Sequence, residues 1–135
     1  MPKIDVGKIW PLNYRLVASV IAGVAPGISE LGLETKELFV LAEVDVHPHP
    51  AELAEVLCMP KPTVTVYIKR LEAAGFLRRE IDSADLRRHR LILTPEGRKT
   101  MTRGLALLSK AFGARLARLN SAQQSELAAL LEKLN

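Results

Sequence analysis

Several things are scarce in this 135-residue sequence: there is one cysteine, there are six aromatic residues and three histidines, and the formal charge is only +4. A solitary Cys58 excludes an intramolecular disulfide and a four-cysteine zinc cage, which points to a reducing compartment. Long apolar runs are missing too. The stretch from Leu16 to Pro26 contains Ser19 and falls far short of the roughly 20 residues that a bilayer span requires. Asp5 stands among the few N-terminal charges and no small-residue cleavage site follows, so no secretory leader is read. With 48% apolar residues the chain can bury a core, and the expectation is one compact, soluble, cytoplasmic domain without a membrane partner.

The small net charge conceals an uneven distribution. Lys61 to Arg103 holds 11 basic and five acidic residues, or +6, and the remainder holds eight basic and ten acidic, or −2. Such asymmetry is expected where one part of a domain faces phosphates and the other faces protein or solvent.

Periodicity supplies the elements. Ile9, Leu12, Leu16, Val20 and Val24 recur at helical steps, which predicts a first helix over Ile9 to Val24 with Pro11 in its first turn and Pro26-Gly27 stopping or kinking it. A second helix is predicted from about Glu34, with Leu38, Leu41 and Val44 inward, closed by the turn Asp45 to Pro50. Ala51 to Cys58 reads as a short helix with Leu53, Val56 and Leu57 inward. Thr63 to Ala74 reads as the next, striped by Val64, Tyr67, Ile68 and Leu71 and capped by Gly75. The period then shortens: Phe76 to Ile81 and His89 to Thr94 are strand-like runs joined by a polar turn over Asp82 to Arg88. Thr94-Pro95 starts another helix, followed through Met101, Leu105, Leu108, Phe112, Leu116 and Leu119. Ser121 with Gln124 is read as a capping box for a last helix carrying Leu127, Leu130, Leu131 and Leu134.

This order predicts a mostly α protein with a small β wing, a winged helix-turn-helix with N- and C-terminal dimerisation helices. The N-terminal helix region spans residues 1–33, the DNA-binding lobe 34–100 and the C-terminal helices 101–135. The terminal helices have long apolar stripes and no third layer in the chain to cover them, so a partner subunit is the economical explanation. In a helix-turn-helix the second helix lies in the major groove. With its apolar stripe inward, the helix after Pro60 leaves Lys61, Pro62, Thr65, Val66 and Lys69 facing out, with Thr63 and Arg70 on the edges. Threonine hydroxyls and methyls suit base edges, and Lys69 and Arg70 suit phosphates. At the hairpin tip, Arg87, Arg88 and Arg90 outnumber Asp82 and Asp85. An arginine there can enter the narrow minor groove, and a carboxylate two residues earlier can direct its guanidinium.

Taken in order, these motifs resemble the MarR family of prokaryotic transcriptional regulators. The likeness is carried by ELAEVL, by KPTVTVYIKRLEAAGFLRR and by the wing DSADLRRHRLILTPEG. Asp85-x-Arg87 and Leu93-Thr94-x-x-Gly97 match family elements, and Trp10 and Gly32-Leu33 look like weaker family features. Leu86 replaces a frequently basic residue, Val66 a frequently polar one, and Pro60 and Pro62 the usual serine-type caps. The resemblance implies a homodimer with interlocked terminal helices, docked on a pseudo-palindromic operator of double-stranded DNA with recognition helices ~34 Å apart. It implies Thr63, Thr65 and Lys69 in the major groove, Arg87 in the minor groove, and Arg88 and Arg90 in support. It also implies repression of its own or neighbouring genes, relieved by a small aromatic or anionic effector, with Trp10, Tyr14, Phe39 and Phe112 lining the pocket unless they simply pack the core.

Other chemistry finds little support. Cys58 has no histidine near it in sequence and reads as a buried structural thiol. Asp45-x-His47-x-His49, interleaved with prolines, reads as a rigid turn and not as a metal site. No enzyme, metal or cofactor is expected. A winged-helix module for protein association, without specific DNA binding, is the competing reading.

Overall fold

The computed structural model describes residues 3–135. Six helices and one two-stranded antiparallel sheet follow in the order α1 Val6–Glu30, α2 Thr35–Glu43, α3 Pro50–Val56, α4 Lys61–Ala73, β1 Leu77–Ile81, β2 His89–Leu93, α5 Pro95–Leu116 and α6 Ser121–Leu134. The core gathers one face of each element in the middle of the chain: Val24 and Ile28 of α1, Leu38, Val40 and Leu41 of α2, Leu53 of α3, Val64, Ile68 and Leu71 of α4, and Leu77, Leu91 and Leu93 of the hairpin. Met101, Leu105 and Leu108 of α5 close it from the other side.

The first helix is longer than its pattern suggests. It runs from Val6 through both Pro11 and Pro26, and it stops only where Gly32 adopts φ +83° and the Leu33 amide returns to the Ile28 carbonyl at 3.3 Å. A single proline removes one helical hydrogen bond, and the turn beyond Pro26 is retained because Ile28 is fully buried against the core. In α3 the inward residues are Leu53 and Ala54, with Leu57 packed beside them. Val56 lies about 100° around the helix from that face and is exposed. Helix α4 closes as expected: Gly75 sits at φ +80° and the Phe76 amide donates to the Leu71 carbonyl at 2.9 Å.

The hairpin pairs Leu77 with Leu93 and Ile81 with His89, leaving Phe76 and Thr94 just outside the strands. Thr94 Oγ1 accepts from the Gly97 amide at 3.0 Å and so caps α5. That helix ends at Leu116, short of Leu119. The cap of α6 lies one residue before the expected box: Asn120 Oδ1 accepts from the Gln123 amide at 2.9 Å and Gln123 Oε1 accepts from the Asn120 amide at 3.0 Å. Gln124 is engaged elsewhere, its Nε2 donating to the carbonyls of Leu116, at the end of α5, and Leu119, in the turn that follows.

The two chain ends leave apolar surface uncovered. Val6, Ile9, Trp10, Leu12 and Tyr14 of α1 and Leu130, Leu131 and Leu134 of α6 are exposed, and α6 buries no residue. Among the described residues no single helix is long and apolar enough to cross a membrane.

Candidate nucleic-acid interface

Helices α3 and α4 form the helix-turn-helix pair. Between them the Cys58 amide donates to the Glu55 carbonyl and the Met59 amide to the Ala54 carbonyl, with Cys58 at φ +53°. Leu57 and Met59 take the core positions of this turn, so Cys58 is exposed and not a buried thiol. Pro60 enters α4 in extended conformation and Pro62 occupies its first turn, where a missing N–H leaves no helical bond unmade. The prolines thus start the helix without a side-chain cap.

With Val64, Ile68 and Leu71 buried, α4 exposes Lys61, Pro62, Thr65, Val66, Lys69 and Arg70, while Thr63 is half-buried. Two of these are engaged within the chain. Thr65 Oγ1 donates to the Lys61 carbonyl at 3.0 Å. Arg70 reaches Glu34 Oε1 at 3.3 Å and lies 6.0 Å from the Tyr67 ring centre. Lys61 and Lys69 make no ion pair among the described residues.

The wing is held by its own backbone and by a contact from across the fold. Asp82 Oδ1 accepts from the Ala84 amide at 2.8 Å, and the Asp82 amide donates to the Arg88 carbonyl at 2.9 Å. Asp85 Oδ1 accepts from the Arg87 amide at 3.0 Å, while the Arg87 Nε stands 3.8 Å from the same oxygen. Asp85 therefore fixes the backbone of the tip more firmly than the guanidinium, which is 94% exposed. Arg88 is turned inward to Glu52 of α3 at 3.3 Å, whereas Arg90 is exposed and makes no ion pair among the described residues.

The cross-fold contact lies outside the sequence expectations. His49 Nε2 is 3.2 Å from Asp82 Oδ2, its Nδ1 is 3.2 Å from the His89 carbonyl, and the Leu91 amide donates to the Pro48 carbonyl at 2.8 Å. The proline-rich turn is thus a bracket for the hairpin root, and among the described residues no cluster of His, Cys, Asp or Glu is arranged to hold a metal ion. The Ala84 amide holds the Asp82 carboxyl below its ordinary value of 3.8; burial opposes this, and the charges of His49 and Arg88 reinforce it. No local pattern links residues 49 and 82; only the otherwise unassigned histidine in a rigid turn hinted at a partner.

Between α1, α2 and α5 lies an open cavity of about 310 Å³ lined by Val17, Val20, Ile21, Phe39, Leu108, Ser109 and Phe112. Of the four aromatic residues expected at an effector pocket, Phe39 and Phe112 line this cavity. Trp10 and Tyr14 do not line it: at 1.5 Å rise per residue, Trp10 is about 10 Å along α1 from Val17. Both rings are exposed, with centroids 6.3 Å apart.

A helix-turn-helix pair followed by an arginine-tipped wing, with long apolar helices at both ends, defines a winged helix-turn-helix transcriptional regulator. The chain belongs to the MarR family, whose model matches residues 34–89. It is 32% identical over 132 residues to the HTH-type transcriptional repressor Rv2887 of Mycobacterium tuberculosis, covering 96% of this chain and 95% of that protein. The solved structure of Rv2887 from Mycobacterium tuberculosis with salicylic acid superposes with a TM-score of 0.77 at 30% identity, covering 98% of each chain. The structure of that protein with DNA gives a TM-score of 0.76 at 29% identity, covering 98% of this chain and 99% of that one.

Proposed function

We propose that the protein is a cytoplasmic, dimeric, sequence-specific DNA-binding repressor, without catalytic activity, whose hold on its operator is relieved by a small molecule. The observation that carries this reading is the wing tip, where Asp85 braces the backbone of Arg87 and leaves its guanidinium in solvent, available to a minor groove. Lys61, Pro62, Thr63, Thr65, Val66 and Lys69 form the major-groove surface, with Arg90 in support. Arg70 and Arg88 brace the helix and the wing through Glu34 and Glu52 before they reach any phosphate. The lobe over residues 34–100 is carried by the terminal regions 1–33, whose residues 1 and 2 lie outside the described residues, and 101–135; the uncovered apolar faces of α1 and α6 suit a second copy of the chain. That Rv2887 has been solved with DNA supports the same mode here.

For the effector, the cavity beside Phe39 and Phe112 offers an apolar wall and one hydroxyl, Ser109. It suits a small aromatic body, as salicylic acid in Rv2887 encourages; a carboxylate would draw its cation from outside this lining. Selection of duplexes from a random pool tests the central reading. The expected product is a two-fold repeat whose log affinity falls linearly with log salt, by about 0.9 per phosphate contact. A pool without enrichment would instead support a protein-association module.

A further inference from the structure

The outward face of α4 is unusually poor in groups that can read a base by hydrogen bonds. The helix contains no asparagine or glutamine. Its one arginine, Arg70, is held by Glu34 and the Tyr67 ring, and its one carboxylate, Glu72, is held by Arg79 at 2.9 Å. The Thr65 hydroxyl donates its proton to the Lys61 carbonyl, so toward a base that side chain offers an acceptor oxygen and its methyl group. Apart from the half-buried Thr63 hydroxyl and the amines of Lys61 and Lys69, what remains on this face is apolar. Val66, 47% exposed, points away from the buried Val64, Ile68 and Leu71, and Pro62 lies one turn before it on the same face. Pro62, Thr65 and Val66 are helical neighbours at three- and four-residue spacing, forming a continuous apolar patch flanked by Lys61 and Lys69.

In the major groove the apolar feature of a base pair is the C5-methyl group of thymine. We infer that this helix reads thymine methyl groups, with Val66 as the specificity-determining residue and Pro62 and the Thr65 methyl completing the contact, while Lys61 and Lys69 hold phosphates. This rests on the DNA-binding reading and adds to it the chemistry of the half-site: A·T pairs whose thymines face the helix, at equivalent positions in both halves. Because Val66 is exposed and packs in no core, shortening it leaves the fold intact.

The test uses the selected duplex with single thymines replaced by deoxyuridine, which removes the methyl group and nothing else. At one or two symmetric positions per half-site, affinity is expected to fall about three- to fivefold per methyl, the worth of one buried methyl group. Val66→Ala is expected to lose affinity for the thymine duplex and to bind the thymine and deoxyuridine duplexes alike. Full affinity for a duplex with deoxyuridine throughout, or a Val66→Ala protein that still discriminates, would overturn the inference while leaving DNA binding in place. Failure to enrich any duplex would remove both.

Discussion

Replacing Gly97 with alanine probes the joint on which the wing, the recognition helix and α5 all depend. A Cβ built there lies 2.0 Å from the Phe76 carbonyl oxygen and 2.8 Å from its carbon, both backbone atoms that no rotamer change can move. Restoring contact distance requires α5 and the α4–β1 turn to part by about 1 Å. The Thr94 amide now donates to that carbonyl at 3.1 Å, and such a separation carries it beyond hydrogen-bond range. The Thr94 cap on Gly97, at 3.0 Å, is strained by the same movement. The lost bond and weakened cap cost about 1 kcal/mol each, and overpacking roughly 1–3 kcal/mol more, against a gain of up to about 1 kcal/mol from alanine in a helix. The net loss of about 3 kcal/mol corresponds to roughly 10 °C in the thermal midpoint for a chain of this size. Circular dichroism melts at fixed protein concentration measure it. Gly113→Ala, on the same helix with nothing among the described residues within 4 Å of the added carbon, is the reference and is expected to be neutral or slightly stabilising. Equal midpoints for the two variants would show that the Phe76 carbonyl yields to the added carbon at no cost. This clash is the physical reason for glycine at the end of Leu-Thr-x-x-Gly.

Arg87→Ala is expected to weaken operator binding about tenfold or more with the melting midpoint unchanged, since its guanidinium makes only a long contact at 3.8 Å; fluorescence anisotropy titrations that match the parent protein would exclude the wing tip from recognition. The hairpin root should lose order in acid only at low pH. Asp82 has a lowered folded pKa, so its stabilisation is complete above 3.8 and is lost as pH falls through the lower folded value. Amide exchange at Ala84, corrected for intrinsic rates, is expected to lose protection as pH falls below 3.8. Persistence of that low-pH transition in Asp82→Asn would show that another group governs it.

Local pattern was enough to place the helices and the hairpin, because burial of one face imposes its period on the sequence. The stripe of Val64, Ile68 and Leu71, the left-handed Gly75 and the Thr94-Pro95 start are all found where the residues predict them. Helix ends were less legible. Pro26 is a local signal to stop, but the burial of Ile28 overrides it. Ser121 and Gln124 have the spacing of a cap, but Asn120 is better placed, and α5 claims Gln124. At the interface, exposure of the α4 face and the Asp85-x-Arg87 tip could be anticipated from spacing. The neutralisation of particular arginines could not.

The order of elements, the outward residues of α4 and the concentration of positive charge between Lys61 and Arg103 are written in the local pattern of residues. Which of those charges are available depends on how the elements pack. Packing brings Glu34, Asp45 and Glu52 from the acidic remainder against Arg70, Arg98 and Arg88, and sets His49 on Asp82. It also carries Trp10 and Tyr14 past the cavity that Phe39 and Phe112 line. The reason is one of range: periodicity records which face of an element avoids water, whereas contacts between residues more than 30 positions apart arise only when several elements close on a common core.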